Sequence, residues 1–174
     1  MSVLYSKLRS EIKTGDLIAY DTEEIDSFFG SVLFFYQKIL KARYTHVGVA
    51  VRLNNRVFLL EATPPQVRLV PIPMCGDFYL IKTDLEADEN KMLSVLLSYL
   101  GRNYSLLDLL KAKLKITNNP SDLYCSELAQ EFYNMFGYLP NRRAGETPDT
   151  MVDAVVKRSG NQPIKVIIDK GNLP

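Results

Sequence analysis

Apolar and polar positions are ordered most tightly in two neighbouring runs, Tyr44-Thr45-His46-Val47-Gly48-Val49-Ala50-Val51 and Val57-Phe58-Leu59-Leu60-Glu61. Both have the composition of β-strands, and Asn54-Asn55 lies between them. Asparagine accepts the left-handed conformations that a two-residue hairpin turn requires. With those two residues as the turn, Leu53 faces Arg56, and pairing outward sets Val51 against Phe58, Val49 against Leu60 and Val47 against Ala62. That face is wholly apolar. On the other face Ala50 meets Leu59, Gly48 meets Glu61 and His46 meets Thr63. Glu61 is then diagonal to His46, within reach of a long side chain, and Gly48 puts no side chain between them. A slip of one residue would turn both polar groups to the wrong face, so the register decides whether they meet.

The remaining pattern predicts an alternation of strands and helices. Residues 1–14 read as a short helical or irregular lead-in, and Gly15-Asp16 turns into a strand at Leu17-Ile18-Ala19-Tyr20. Asp21 opens a helix to about residue 43, with Ile25, Phe28, Phe29, Val32, Phe35, Tyr36 and Ile39 at helical spacing. Thr63-Pro64-Pro65 breaks the second run, and residues 67–72 and 78–82 read as further strands of the same antiparallel meander, with Pro71 and Pro73 marking an edge or an end. Helical spacing returns over residues 84–100, closed by Gly101, and again over residues 105–115, followed by a loop at 116–120. A helix over 123–135 has Asp122 or Ser121 placed to cap it, Thr147-Pro148-Asp149 opens another, and residues 164–168 form a last strand. No repeat, low-complexity tract or linker divides the chain, so residues 1–174 form a single expected domain.

Composition narrows the function classes. Apolar residues are 47% and charged residues 24% of the chain, an ordinary globular mix. A formal net charge of +1 gives no field that demands nucleic acid. Lys111, Lys113 and Lys115 with Arg142 and Arg143 form a basic cluster that either meets an anionic substrate or is a solvated face. Two cysteines are too few for a disulfide framework, and one histidine with two cysteines offers no zinc spacing, so neither metal nor cofactor is expected. Residues 1–13 lack an apolar signal core, and the most apolar segment, residues 28–40, is too short and interrupted to span a bilayer. The expectation is a cytoplasmic or non-classically released protein without a transmembrane segment. Nothing in the sequence specifies the oligomeric state.

Cys125 stands at the head of a helical pattern, in Leu123-Tyr124-Cys125-Ser126-Glu127-Leu128. A cysteine in a first helical turn lies near unpaired N–H groups and the positive end of the dipole, which favour thiolate. A histidine in reach takes the thiol proton and returns it to a leaving group. A carboxylate on the other ring nitrogen fixes the tautomer. Cys125, His46 and Glu61 supply those three parts. Each also has a plain structural explanation: a strand histidine, a small buried cysteine, a solvated strand-end glutamate. Cys75 sits in a Pro-Met-Cys-Gly turn with no helix after it, and Ser126 lacks the glycines of a nucleophile elbow.

The order His-Val-Gly, Glu-Ala, Tyr-Cys-Ser-Glu-Leu resembles the circularly permuted branch of the NlpC-type papain-fold superfamily, in particular the YiiX/YaeF-like cysteine amidases and peptidases, where the histidine strand precedes the cysteine. Gly15-Asp16-Leu17-Ile18 is similar to that family's opening Gly-Asp strand, Gly101-Arg102-Asn103-Tyr104 to its Gly-x-x-Tyr segment, and Thr147-Pro148-Asp149 to its Thr-Pro-Asp turn. These landmarks cover residues 15 to about 155. The resemblance implies Cys125 as nucleophile, His46 as general base and acid, Glu61 as the group orienting the imidazole, and Tyr104 and Tyr124 on the substrate side. Ser105 stands where the family more often has Asp. The implied fold is α+β: a permuted papain-like domain with a curved antiparallel sheet of five to six strands and helices packed on one side. The implied function is a cofactor-free cysteine hydrolase cleaving an amide or peptide bond through an acyl-thioester. Acyl transfer or ester hydrolysis on lipids, as in lecithin:retinol acyltransferase relatives, and a binding module without activity remain open beside it. The partner is accordingly a small peptide, amide or lipid.

Overall fold

The computed structural model describes residues 2–21, 42–104, 124–139 and 147–169. In chain order they form β1 (Ser2–Leu4), α1 (Tyr5–Leu8), a 3-10 turn (Arg9–Glu11), β2 (Leu17–Tyr20), β3 (His46–Leu53), β4 (Arg56–Thr63), β5 (Gln66–Pro71), a second 3-10 turn (Ile72–Met74), β6 (Phe78–Ile81), α2 (Glu89–Ser98), α3 (Cys125–Met135), α4 (Pro148–Ser159) and β7 (Ile164–Ile167). The strands make one seven-stranded sheet in the order β1-β7-β6-β2-β3-β4-β5. The α+β class agrees with expectation; the strand count does not. A three-residue strand is too short to show a period of two, so β1 was hidden in the lead-in. It pairs parallel with β7, which makes the sheet mixed. Nor does β6 continue the meander: the second 3-10 turn carries the chain back across the sheet, and β6 pairs with β2.

Alternation in β2 explains the two-sided core. Leu17 and Ala19 join Val47, Val49, Val51 and Leu60 beneath Leu96 of α2, Leu128 and Phe132 of α3, and Met151 and Val155 of α4. Ile18 and Tyr20 join Ala50, Leu59 and Leu80 on the opposite face, covered by Tyr5 and Leu8 of α1 and by Ile12 and Ile72. Helical cover is therefore not confined to one side. No helix among the described residues is long and apolar enough to cross a membrane. The helix expected over residues 21–43 falls almost wholly outside the described residues. So do the helix at 105–115, the loop at 116–120, Ser121, Asp122 and the basic cluster.

The Asn54-Asn55 hairpin has the expected register at its tip. Leu53 pairs with Arg56, Val51 with Phe58 and Val49 with Leu60, and Asn54 takes a left-handed φ of 53°. The ladder stops at Val49 and Leu60, so the three outer pairings, Val47 with Ala62, Gly48 with Glu61 and His46 with Thr63, do not belong to it. At that end each strand follows its other neighbour: β3 stays with β2 down to the Tyr20–His46 pair, and β4 stays with β5 down to Thr63–Gln66.

Short polar contacts fix the elements that border this divergence. Asp16 accepts hydrogen bonds from the N–H groups of Lys13 (2.9 Å) and Thr83 (2.8 Å), tying the start of β2 to the end of β6. The Gly15 carbonyl accepts from the Tyr133 hydroxyl at 2.9 Å, which pins α3 to the same corner. Thr147 caps α4 with Thr150 in a reciprocal box, leaving Asp149 free to accept from the N–H groups of Tyr44 (2.9 Å) and Arg43 (3.1 Å), just ahead of β3. Gly101 and Arg102 bond back to Val67, and Tyr104 donates its N–H to Pro65, so the Gly-x-x-Tyr segment runs along the β5 edge.

Gly48 lies at the divergence, and the reason for glycine there is space. A Cβ would stand 2.5 Å from Leu59 Cδ1 and 2.6 Å from the Leu60 carbonyl oxygen, and the second of these is backbone. Gly48→Ala is expected to destabilise the fold by about 2–3 kcal/mol through this overpacking, measured by chemical denaturation. An unchanged midpoint would contradict the close approach.

Candidate active site

Three chain segments converge at the open end of the β3–β4 hairpin. His46 is the first residue of β3, Glu61 lies near the end of β4, and Cys125 is the first residue of α3. His46 Nε2 and Glu61 Oε2 are 2.7 Å apart, and the two side chains are only 15% and 9% exposed. The Cys125 thiol, also buried, is a hydrogen-bond partner of the same imidazole. With Nε2 engaged by Glu61, Nδ1 is the nitrogen left for the thiol. The diagonal expected from register counting is thus realised, although by a direct contact across the parted strands.

Arg68 completes the arrangement and was not anticipated. Its Nε and Nη2 lie 2.8 and 2.7 Å from Glu61 Oε1, because Glu61 and Arg68 are directly paired across β4 and β5. The signal was present in Pro64-Pro65. Counted as a two-residue turn rather than a break, it sets Thr63 against Gln66 and Glu61 against Arg68, as observed. Tyr20 was also missed; it pairs with His46 across β2 and β3, with ring centroids 6.1 Å apart.

Tyr124 is the N-cap residue of α3, in extended conformation, fully buried and making no side-chain cap. Ser121 and Asp122, the expected caps, lie outside the described residues. Tyr104 is half-buried against the helical core and held by its N–H to the β4–β5 turn. The structure brings Cys125, His46, Glu61 and Arg68 into one hydrogen-bonded chain. Tyr124 adjoins it in sequence, and Tyr104 stands at the turn leading to Arg68.

The electrostatics favour a charged pair. Burial works against the imidazolium, but hydrogen bonds to Cys125 and Glu61 and their negative charge reverse it, raising His46 from 6.5 to about 10. Burial likewise opposes ionisation of Cys125. The hydrogen bond and charge of His46, helped by the Val47 and Ser126 backbone N–H groups, nevertheless hold the thiol below its ordinary value. Burial would raise Glu61, yet His46 and then Arg68 bring it down from 4.5 to about 2. Cys75 makes the contrast: burial pushes it up to about 11, a Tyr20 hydrogen bond opposes only part of this, and the Glu61 charge adds to it. Only one of the two free cysteines is held toward thiolate. A thiolate at a helix N-terminus, beside an imidazolium oriented by a carboxylate, can attack an electrophilic carbon and hand a proton to the departing group.

No protein-family model matches the chain. A crystal structure of the metalloprotein YiiX from Escherichia coli O157:H7 is similar to it, with a TM-score of 0.56 and 17% identity, covering 94% of this chain and 93% of that one. The fold is thus YiiX-like. A 60-residue stretch is 27% identical to the uncharacterized protein R372 of Acanthamoeba polyphaga mimivirus, a match spanning 34% of this chain and 24% of that protein. The donor set here does not fit a metal centre. Among the described residues no three His, Cys, Asp or Glu side chains gather as one requires, and Glu61 spends its oxygens on His46 and Arg68.

The Glu61 shift carries a stability prediction. Its carboxyl titrates lower in the folded than in the unfolded chain, so the stabilisation is complete above pH 4.5 and is lost as pH falls towards 2. Glu61→Gln is expected to flatten this acid limb, with the wild-type–variant difference shrinking by on the order of 3 kcal/mol across it. Urea denaturation at stepped pH measures this. Parallel wild-type and variant curves would refute it.

Proposed function

We propose that this protein is a cysteine hydrolase of the permuted papain-like, NlpC-type kind, cleaving an amide or peptide bond through an acyl-thioester. The observation that carries the reading is the 2.7 Å His46–Glu61 contact on an imidazole whose other partner is the thiol at the start of α3. The Cys125 thiolate attacks the substrate carbonyl carbon, and the electron pair moves to oxygen. The N–H of Cys125 is the first donor available to that oxyanion. Collapse of the intermediate breaks the C–N bond as the His46 imidazolium protonates the leaving amine, giving a thioester and a neutral imidazole. Water then gives a proton to His46 and its oxygen to the acyl carbon. The carboxylic acid departs, and the proton on His46 restores the charged pair. Glu61 stays ionised throughout and keeps the ring in the orientation both steps use. Tyr104, beside the β4–β5 turn, is assigned to the substrate side; Tyr124 is fully buried, so its part is to pack beneath the start of the cysteine helix rather than to touch substrate. Small peptides, including cell-wall peptides and related amides, are the substrate class we assign.

Incubation with activated peptide esters, followed by peptide mass spectrometry, tests the reading. The acyl group is expected on Cys125 and not on Cys75, with His46→Ala slowing acylation by roughly 10²–10⁴-fold. Acylation spread equally over both cysteines, or none on Cys125, would sink the proposal.

A further inference from the structure

Arg68 has no part in a cysteine–histidine–carboxylate mechanism as such, yet two of its guanidinium nitrogens reach the Glu61 oxygen that His46 leaves unused. Glu61 is a long side chain, and a single hydrogen bond to His46 would leave its carboxylate free to rotate about its terminal torsion. A guanidinium offers a planar fork of donors, which restrains orientation as a single ammonium does not. The fork reaches Glu61 from outside, since the Arg68 side chain is 55% exposed and the Glu61 side chain 9%. The sheet supplies this contact by direct cross-strand pairing, which makes it a feature of the β4–β5 register.

We propose that Arg68 is a positioning residue for the thiol–imidazole pair: by holding Glu61 Oε1 it aims Oε2 at His46 Nε2, and so sets the ring that faces Cys125. This rests on the cysteine-hydrolase reading of the site and adds a fourth residue to it. The charged and titratable groups around Glu61 are His46 from β3, Arg68 from β5 and Cys75 from the turn before β6. Those around His46 are Glu61, Cys125 from α3 and Tyr20 from β2. Positioning and simple charge make opposite predictions here. Removing a nearby cation should by itself make the imidazolium easier to form and raise the histidine pKa. Releasing Glu61 from its aim should lower it.

His46 is the sole histidine of the chain, so its ring nitrogen NMR signals need no assignment. The titration is made in Cys125→Ala protein, which removes the thiolate and leaves the Glu61 contact to be read alone. In that background burial opposes protonation of His46 and the Glu61 contact favours it. Adding Arg68→Met, which keeps most of the apolar stem, is expected to lower the titration midpoint by about 1 pH unit or more. Arg68→Lys, with charge but no fork, should fall between the two. A midpoint that stays put or rises in Arg68→Met overturns the proposal. Because no thiol takes part, this failure is separable from that of the hydrolase reading. Acyl trapping on Cys125 with an unmoved midpoint removes Arg68 alone, whereas a lowered midpoint with no acyl trapping removes the hydrolase role that Arg68 is proposed to serve.

Discussion

The hydrogen bond between His46 and Glu61 is the constraint on which the site depends, and it exists because the hairpin carrying both residues opens where they stand. Were the β3–β4 ladder continued past Val49 and Leu60, the backbone of both strands would be committed to each other at that point. Instead β3 follows β2 and β4 follows β5. Both outer neighbours contribute: Tyr20 arrives from β2 against the His46 ring, and Arg68 from β5 against Glu61. Gly48 permits the close approach of β4 just before the strands part.

Bringing Cys125 to this opening requires long-range braces rather than local propensity. Tyr133, two turns along α3, is tied to Gly15 at the head of β2, and Asp149 at the start of α4 holds the backbone immediately before β3. The short motifs that looked like family landmarks are thus structural joints. Gly15-Asp16 locks a corner of the sheet to the cysteine helix, Thr147-Pro148-Asp149 locks a helix start to the histidine strand, and Gly101 to Tyr104 lines the edge strand that bears Arg68. Their chemistry lies in where they hold other residues. The signs these groups favour alternate along one line, from a thiol held toward thiolate through the imidazole and the carboxylate to the guanidinium, so each buried group has an opposite neighbour, as buried charge requires.

The legible parts of the fold were those set by local pattern. Asn54-Asn55 disclosed a turn, and counting outward from it put Glu61 diagonal to His46; β2 and β4 followed from apolar runs bounded by turn residues, and the start of α4 from Thr147-Pro148-Asp149. What stayed hidden depended on distant partners. Three residues of β1 acquire their meaning only from β7, and β6 leaves the meander because β2 offers an unpaired edge. Arg68 was within reach of the same counting, but two prolines read as a break concealed the turn. Cys125 meeting His46 was expected from the chemistry of a thiol at a helix start and from a resemblance in residue order, and no periodicity in the chain would have joined positions so far apart.

The most direct test of the assembled pair is the pH dependence of Cys125 alkylation by iodoacetamide, read site by site in wild type and His46→Ala. The account predicts that Cys125 reacts well below the pH of an ordinary thiol with a pKa of about 8.5, that His46→Ala abolishes this advantage, and that Cys75 shows no such low-pH reactivity. A Cys125 profile that follows an ordinary thiol, or that is indifferent to His46, would contradict it.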